Sequence, residues 1–177
     1  MQGTVTATHE ELAAYLRCLI YDLDILATCV QEMKRNPKGH LMDVCLNAGS
    51  VKLRAIHDFF FRPEACDSIK LWMFDCYEPK KPAKEPSLWD KGLTLQSIHT
   101  YVVHLDVQRH TGRDKNGKRI VQPGGRGVPR VIKTAIALMK QARTFVESLK
   151  AHPPFQGLNE HGKRWWAHFC RTLDQLT

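Results

Sequence analysis

Apolar residues recur along much of this chain at steps of three and four, the spacing that keeps a stripe on one side of an α-helix. The longest run is Leu12, Leu16, Leu19, Leu23, Leu26, Val30 and Met33, which predicts a helix with one narrow apolar seam. Thr8 stands three residues before Glu11, the pattern in which two side chains satisfy the free N–H groups at a helix start, so the helix should begin near His9. Asn36-Pro37-Lys38-Gly39 interrupts the pattern. Asn as a cap with Pro just inside predicts a second helix running to Phe61, where Arg62-Pro63 stops it. Its inward side is predicted to carry Leu41, Cys45, Ala48, Ala55, Ile56 and Phe59. The two helices read as an antiparallel hairpin.

The apolar stretch Ile69 to Phe74 predicts a short helix, and Pro79 to Pro86 a charged, proline-rich linker that holds no regular ladder. Ser87 can cap a helix reaching about Arg109, with Leu88, Leu95, Ile98, Val102 and Leu105 on its core side. Residues 111–128 carry turn chemistry and little to bury, and predict a long basic loop. Pro129 then opens a helix whose seam is Val128, Ile132, Ala135, Met139, Ala142, Val146 and Leu149. His152-Pro153-Pro154 ends it, and Asn159 caps a last helix burying Trp165 or Trp166, Phe169, Leu173 and Leu176. The expected architecture is all-α: a single domain over residues 1–177, built as a helical bundle of four main helices plus short ones.

Charge divides the chain. Residues 1–79 hold 8 Lys+Arg against 11 Asp+Glu, and residues 80–177 hold 18 against 7, so the halves are −3 and +11. A basic half of this size attracts phosphate backbones or acidic protein surfaces. No apolar run approaches the roughly 20 residues a membrane-spanning helix needs, and the N-terminus lacks a secretory pattern. The six cysteines fall mostly in apolar helical stretches without CxxC spacing, which favours free thiols in a reducing compartment. A soluble cytoplasmic protein is expected, with no membrane partner.

Two segments concentrate candidate chemistry. They are Leu53-Arg54-Ala55-Ile56-His57-Asp58-Phe59-Phe60-Phe61 and His99-Thr100-Tyr101-Val102-Val103-His104-Leu105-Asp106-Val107-Gln108-Arg109-His110. Arg54 and His57 share a helix side, and Arg54 and Asp58 can pair one turn apart. Antiparallel packing of the two helices would bring Arg54, His57, His104 and Arg109 into one polar pocket, serving either as catalytic groups or as a hydrogen-bonded cluster that fixes helix register. The histidine spacing offers no metal site, so neither metal nor cofactor is expected. Pro123-Gly124-Gly125-Arg126-Gly127 lacks the lysine and the Ser/Thr end of a P-loop. The basic residues Arg113, Lys115, Lys118, Arg119, Arg126 and Arg130 are the candidates for contact with nucleic-acid phosphates. Trp165-Trp166, beside Lys163, Arg164 and Arg171, can either stack on bases or fill the core.

Over about residues 40–110 these segments resemble uncharacterised bacterial all-helical proteins akin to the HEPN superfamily, although such families order the first segment His-Ala-Arg where this chain has Arg-Ala-Ile-His. The resemblance implies an all-helical, commonly dimeric protein in a bacterial stress or defence setting. It is either an RNA-binding or scaffolding form or a metal-independent ribonuclease. The ribonucleases of that superfamily space an arginine, a polar residue, three free positions and a histidine, and Arg35-Asn36-Pro37-Lys38-Gly39-His40 has that spacing. A histidine can move the proton of a ribose hydroxyl while an arginine stabilises the phosphate, so Arg35 with His40, or Arg54 with His57, would fill those roles. Three functions follow as expectations: an RNA-binding or protein-interaction domain working as a homodimer, a ribonuclease, and a structural module recognising an acidic protein.

Overall fold

The first helix starts where its capping pair predicts. In the computed structural model, which describes residues 7–35, 38–62, 71–82 and 128–177, the Thr8 N–H donates to Glu11 Oε2 at 2.7 Å, and the Glu11 N–H donates to Thr8 Oγ1 at 3.2 Å. From there α1 (His9–Arg35) runs unbroken, and every residue of its predicted seam is buried. The buried side is wider than a seam, because Ile20, Asp24, Ala27 and Cys29 are covered as well. The cause is position: α1 is the central element and touches each of the other four α-helices.

The second helix, α2 (His40–Phe61), begins later than the Asn36-Pro37 signal predicts. Gly39 is its N-cap, at φ 92, a left-handed conformation that costs little only for glycine. The Arg62 N–H closes the far end on the Asp58 carbonyl at 3.1 Å. The predicted inward side is corrected. Cys45, Ile56 and Phe59 are buried as expected, but Leu41, Ala48 and Ala55 are exposed, and Gly49, Ser50, Leu53, His57 and Phe60 take the inward positions. Gly49 explains the rotation, since a Cβ there would sit 3.1 Å from Cys29 Cβ; the bare backbone lets α2 come close to α1 along this line.

A 3-10 helix over Leu71–Tyr77 overlaps the stretch predicted as a short helix and runs three residues beyond Phe74. It delivers Phe74 to an aromatic cluster in which Phe59, Phe60 and Phe74 each meet Phe145 edge to face, with centroids 5.4 to 5.6 Å apart. Edge-to-face pairs are favoured by ring quadrupoles, so the cluster adds orientation to the area it buries. Phe145 belongs to α3 (Val128–Ser148); the predicted seam residues are buried except Ile132, which is half-buried, and the last of them, Leu149, lies just past the helix end. A turn leads to α4 (Pro153–Gln156), opened by proline at its first position, and then to α5 (Glu160–Leu176). Asn159 caps α5 as predicted, its side chain accepting from the Gly162 N–H at 2.9 Å.

Every regular element among the described residues is a helix, in agreement with the all-α expectation. No described helix is long and apolar enough to cross a membrane. Helix directions follow from contact register. Tyr21 meets Trp165, Asp24 meets His168 and Gln31 meets Gln175, each pair 144 residues apart, so α1 and α5 run parallel. Lys52 meets Asp22 while Gly49 lies against Cys29, so α1 and α2 run antiparallel, as the hairpin reading requires. The predicted helix from Ser87 to about Arg109, the linker beyond Pro82 and the basic loop to Gly127 lie outside the described residues.

Candidate nucleic-acid interface

Along the edge where α1 meets α5, the side chains that touch are polar or aromatic. On α1, Arg17, Tyr21, Asp24, Thr28 and Gln31 follow one another at steps of three and four; on α5, His161, Trp165, His168 and Gln175 do the same with one omission. Parallel register then stacks them as rungs. Gln31 Nε2 donates to Gln175 Oε1 at 2.7 Å, and Lys34 Nζ donates to the Leu176 carbonyl at 3.2 Å, satisfying one of the free acceptors at the end of α5. One rung up, His168 Nδ1 lies 2.5 Å from Asp24 Oδ1. The carboxylate is largely buried while the imidazole is 48% exposed, so Asp24 anchors the ring from below and Nε2 is left for an outside partner.

The next rung is aromatic. Tyr21 and Trp165 have centroids 5.0 Å apart, and Tyr21 is 40% exposed with Trp165 half-buried beside it. Lys52 arrives from α2, with Nζ 2.6 Å from Asp22 Oδ1 and 5.3 Å from the Tyr21 ring centre. His161 flanks Trp165 at 6.2 Å. Arg164, His168 and Arg171 share the outer side of α5, and all three are exposed. At the top of the edge, a shallow cleft of about 240 Å³ opens between α1 and the turn before α5, lined by His9, Glu10, Arg17, Gly157, Leu158 and Asn159 among others. Arg17 makes no ion pair among the described residues. The His9 wall is held by Tyr77, whose hydroxyl meets His9 Nδ1. Together this edge offers two aromatic faces, one held imidazole and several cations on a single surface.

The two tryptophans therefore separate. Trp166 is buried against Phe155 and Phe169, with Lys150 over its ring at 5.7 Å, while Trp165 is the surface partner of Tyr21. The core reading of the pair holds for Trp166 alone.

Of the residues singled out in the sequence, Arg54 donates from Nε to Asp58 Oδ2 at 3.3 Å, the predicted one-turn pair. His57 is 0% exposed, its Nδ1 3.6 Å from Asp58 Oδ1 and its ring 5.1 Å from that of Phe61. Asp58 is thus shared by the two, and only the arginine side of the group reaches solvent. His104 and Arg109 lie outside the described residues. Arg35, at the end of α1, pairs with Glu32 at 3.2 Å, and His40 opens α2 on the surface. Arg113, Lys115, Lys118, Arg119 and Arg126 lie outside the described residues, and Arg130 falls in the first turn of α3. The Asp24–His168 pair was not foreseen. Its only local trace is a polar file on each of two helices that otherwise read as amphipathic.

Of the described cysteines none is in a disulfide: Cys29 and Cys45 are buried, Cys170 is half-buried, and Cys18 and Cys76 are exposed. Burial, with Cys45 alongside, pushes the Cys29 thiol up to about 11, so it stays protonated and unreactive at neutral pH. No group of three or more His, Cys, Asp or Glu among the described residues is placed to hold a metal. No protein family, curated protein or solved structure matches the chain in comparison with known proteins.

Proposed function

We propose that this protein is a cytoplasmic, HEPN-like helical domain that binds single-stranded RNA and works as a homodimer. The observation that carries the RNA reading is the partly open Tyr21–Trp165 pair, with Lys52 at one side and Arg164, His168 and Arg171 at the other. Aromatic faces accept unstacked bases of any identity, and cations beside them neutralise the connecting phosphates; the combination suits a single strand whose bases are free to splay. The strongly basic second half of the chain adds to the attraction at longer range. Free cysteines are in keeping with a reducing compartment.

Fluorescence anisotropy with a labelled single-stranded RNA oligomer, taken across a salt series, tests this. The wild type is expected to bind with an affinity that falls steeply as salt rises, since each neutralised phosphate releases counterions. Trp165→Ala should weaken binding by roughly 5- to 150-fold, corresponding to about 1–3 kcal/mol of lost stacking. Lys52→Ala should lower both the affinity and the salt slope. Absence of binding at low salt would remove the reading altogether, and equal binding by wild type and Trp165→Ala would move the site away from this edge.

A further inference from the structure

The cleft at the top of the α1–α5 edge is lined by one anion and one cation that leave each other alone. Glu10 and Arg17 both line it from α1, seven residues apart, which separates them by roughly 10 Å along the helix axis. Among the described residues neither side chain makes an ion pair or a hydrogen bond, so one is open to donors and the other to acceptors. Arg17 is nonetheless positioned by packing: its Cγ lies 3.4 Å from where a Cβ would stand on Gly162, so the stem is held between α1 and α5. Between the charged groups the walls are small or flat. Ala13 and Ala14 line the α1 side and Leu158 the side of the turn, leaving about 240 Å³, room for a single base. The His9 ring, held at Nδ1 by the Tyr77 hydroxyl, adds an aromatic wall.

We infer that this cleft receives one guanine base of the bound strand, read along its edge by Glu10 and Arg17. Of the four bases, guanine alone sets two adjacent donors, N1–H and the N2 amino group, beside two adjacent acceptors, O6 and N7. A carboxylate accepts the first pair as a fork, and a guanidinium donates to the second in the same manner. Adenine and cytosine bring a single amino donor and uracil a single ring N–H, so each leaves part of Glu10 or Arg17 unmatched. A phosphate group suits the cleft less well, because Glu10 repels it. The inference rests on the RNA reading and gives that site a base preference. Arg17 precedes Tyr21 by one turn in the same polar file, roughly 6 Å along α1, so a base in the cleft and its neighbour on the Tyr21–Trp165 pair lie on one track.

Fluorescence anisotropy with labelled oligouridine, and with the same oligomer bearing one guanosine, is the test. The wild type should bind the guanosine oligomer roughly 5- to 150-fold more tightly, the discrimination that one bidentate contact supplies. Inosine, which lacks the N2 amino group, should fall between the two. Glu10→Gln and Arg17→Ala should each remove most of the preference. The ratio of the two affinities is the readout, so a general loss of charge or of stability does not imitate the result. Equal binding of both oligomers by the wild type, or a preference that survives both substitutions, overturns the proposal. Should neither oligomer bind at low salt, the RNA reading has failed, and an NMR titration with guanosine monophosphate then decides the cleft by itself. The methyl signals of Ala13 and Ala14 should shift with guanosine monophosphate and not with uridine monophosphate; the same response to both, or none, overturns the proposal.

Discussion

Helices α1 and α2 lie side by side and are both rich in apolar residues at helical spacing, yet they end differently. All seven residues of the α1 seam are buried, whereas α2 leaves Leu41, Val44, Ala48, Val51 and Ala55 in solvent. In α1, polar residues such as Glu10, Arg17, Tyr21 and Gln31 fill most of the remaining positions, so burying the leucines has one solution. In α2, small and apolar residues occupy two opposite sides. The side with Gly49 and the phenylalanines turns inward because it permits the closer approach to α1 and reaches Phe145. A helix with two apolar sides has its inward side chosen by its neighbours.

Substitution measures that contrast directly. Leu23→Ala, at a fully buried position of α1, should cost about 3 kcal/mol in urea denaturation, while Leu41→Ala on the open side of α2 should change the dilute protein by less than about 0.5 kcal/mol. Similar losses at the two sites would mean that the outer side is covered within the monomer.

The next largest effect probes the contact between the helices by pH. The Cys29 thiol is held at about 11 in the folded protein against an ordinary value of 9.0. Between those values the folded state keeps a proton that the unfolded state loses. Its contribution is therefore complete below pH 9 and declines as pH rises through 11, by about 2 kcal/mol. Denaturation midpoints from pH 8 to 11 should fall more steeply for the wild type than for Cys29→Ala. Parallel curves would place that thiol in a wetter site than the α1–α2 contact.

Gly49→Ala sharpens the geometry at the same contact. Alanine in a helix interior ordinarily stabilises by up to about 1 kcal/mol, but here the new methyl meets Cys29 Cβ at 3.1 Å, so a net loss of about 1 kcal/mol is expected in thermal unfolding. A gain would show that the helices separate without penalty. Smallest of the set, Thr8→Ala should remove about 1 kcal/mol or less by undoing the α1 cap, with amide exchange quickening in its first turn only.

How far the fold could be read from the chain varies with the kind of signal. The α1 cap, the Asn159 cap and the seams of α1 and α3 depend on residues three or four apart, and they stand where the pattern places them. The start of α2 was less legible, because Asn36-Pro37 and Gly39 are both good boundary residues and the left-handed φ of Gly39 decides between them only in three dimensions. The candidate interface was half visible. Trp165 and its basic neighbours stand out in the sequence, but which tryptophan faces water depends on Tyr21, and the Asp24–His168 pair joins residues 144 positions apart.

Taken alone, the amino-acid sequence determined that the described part of this protein would be helical, where α1 and α3 lie, and that the second half of the chain would be strongly cationic, since those properties arise from local hydrogen bonding, apolar periodicity and charge count. Only the tertiary structure decided which side of α2 turns inward, which tryptophan stays at the surface, and which carboxylate holds His168. Each of these depends on how closely two helix surfaces approach one another, and that distance is set by packing among residues far apart in the chain.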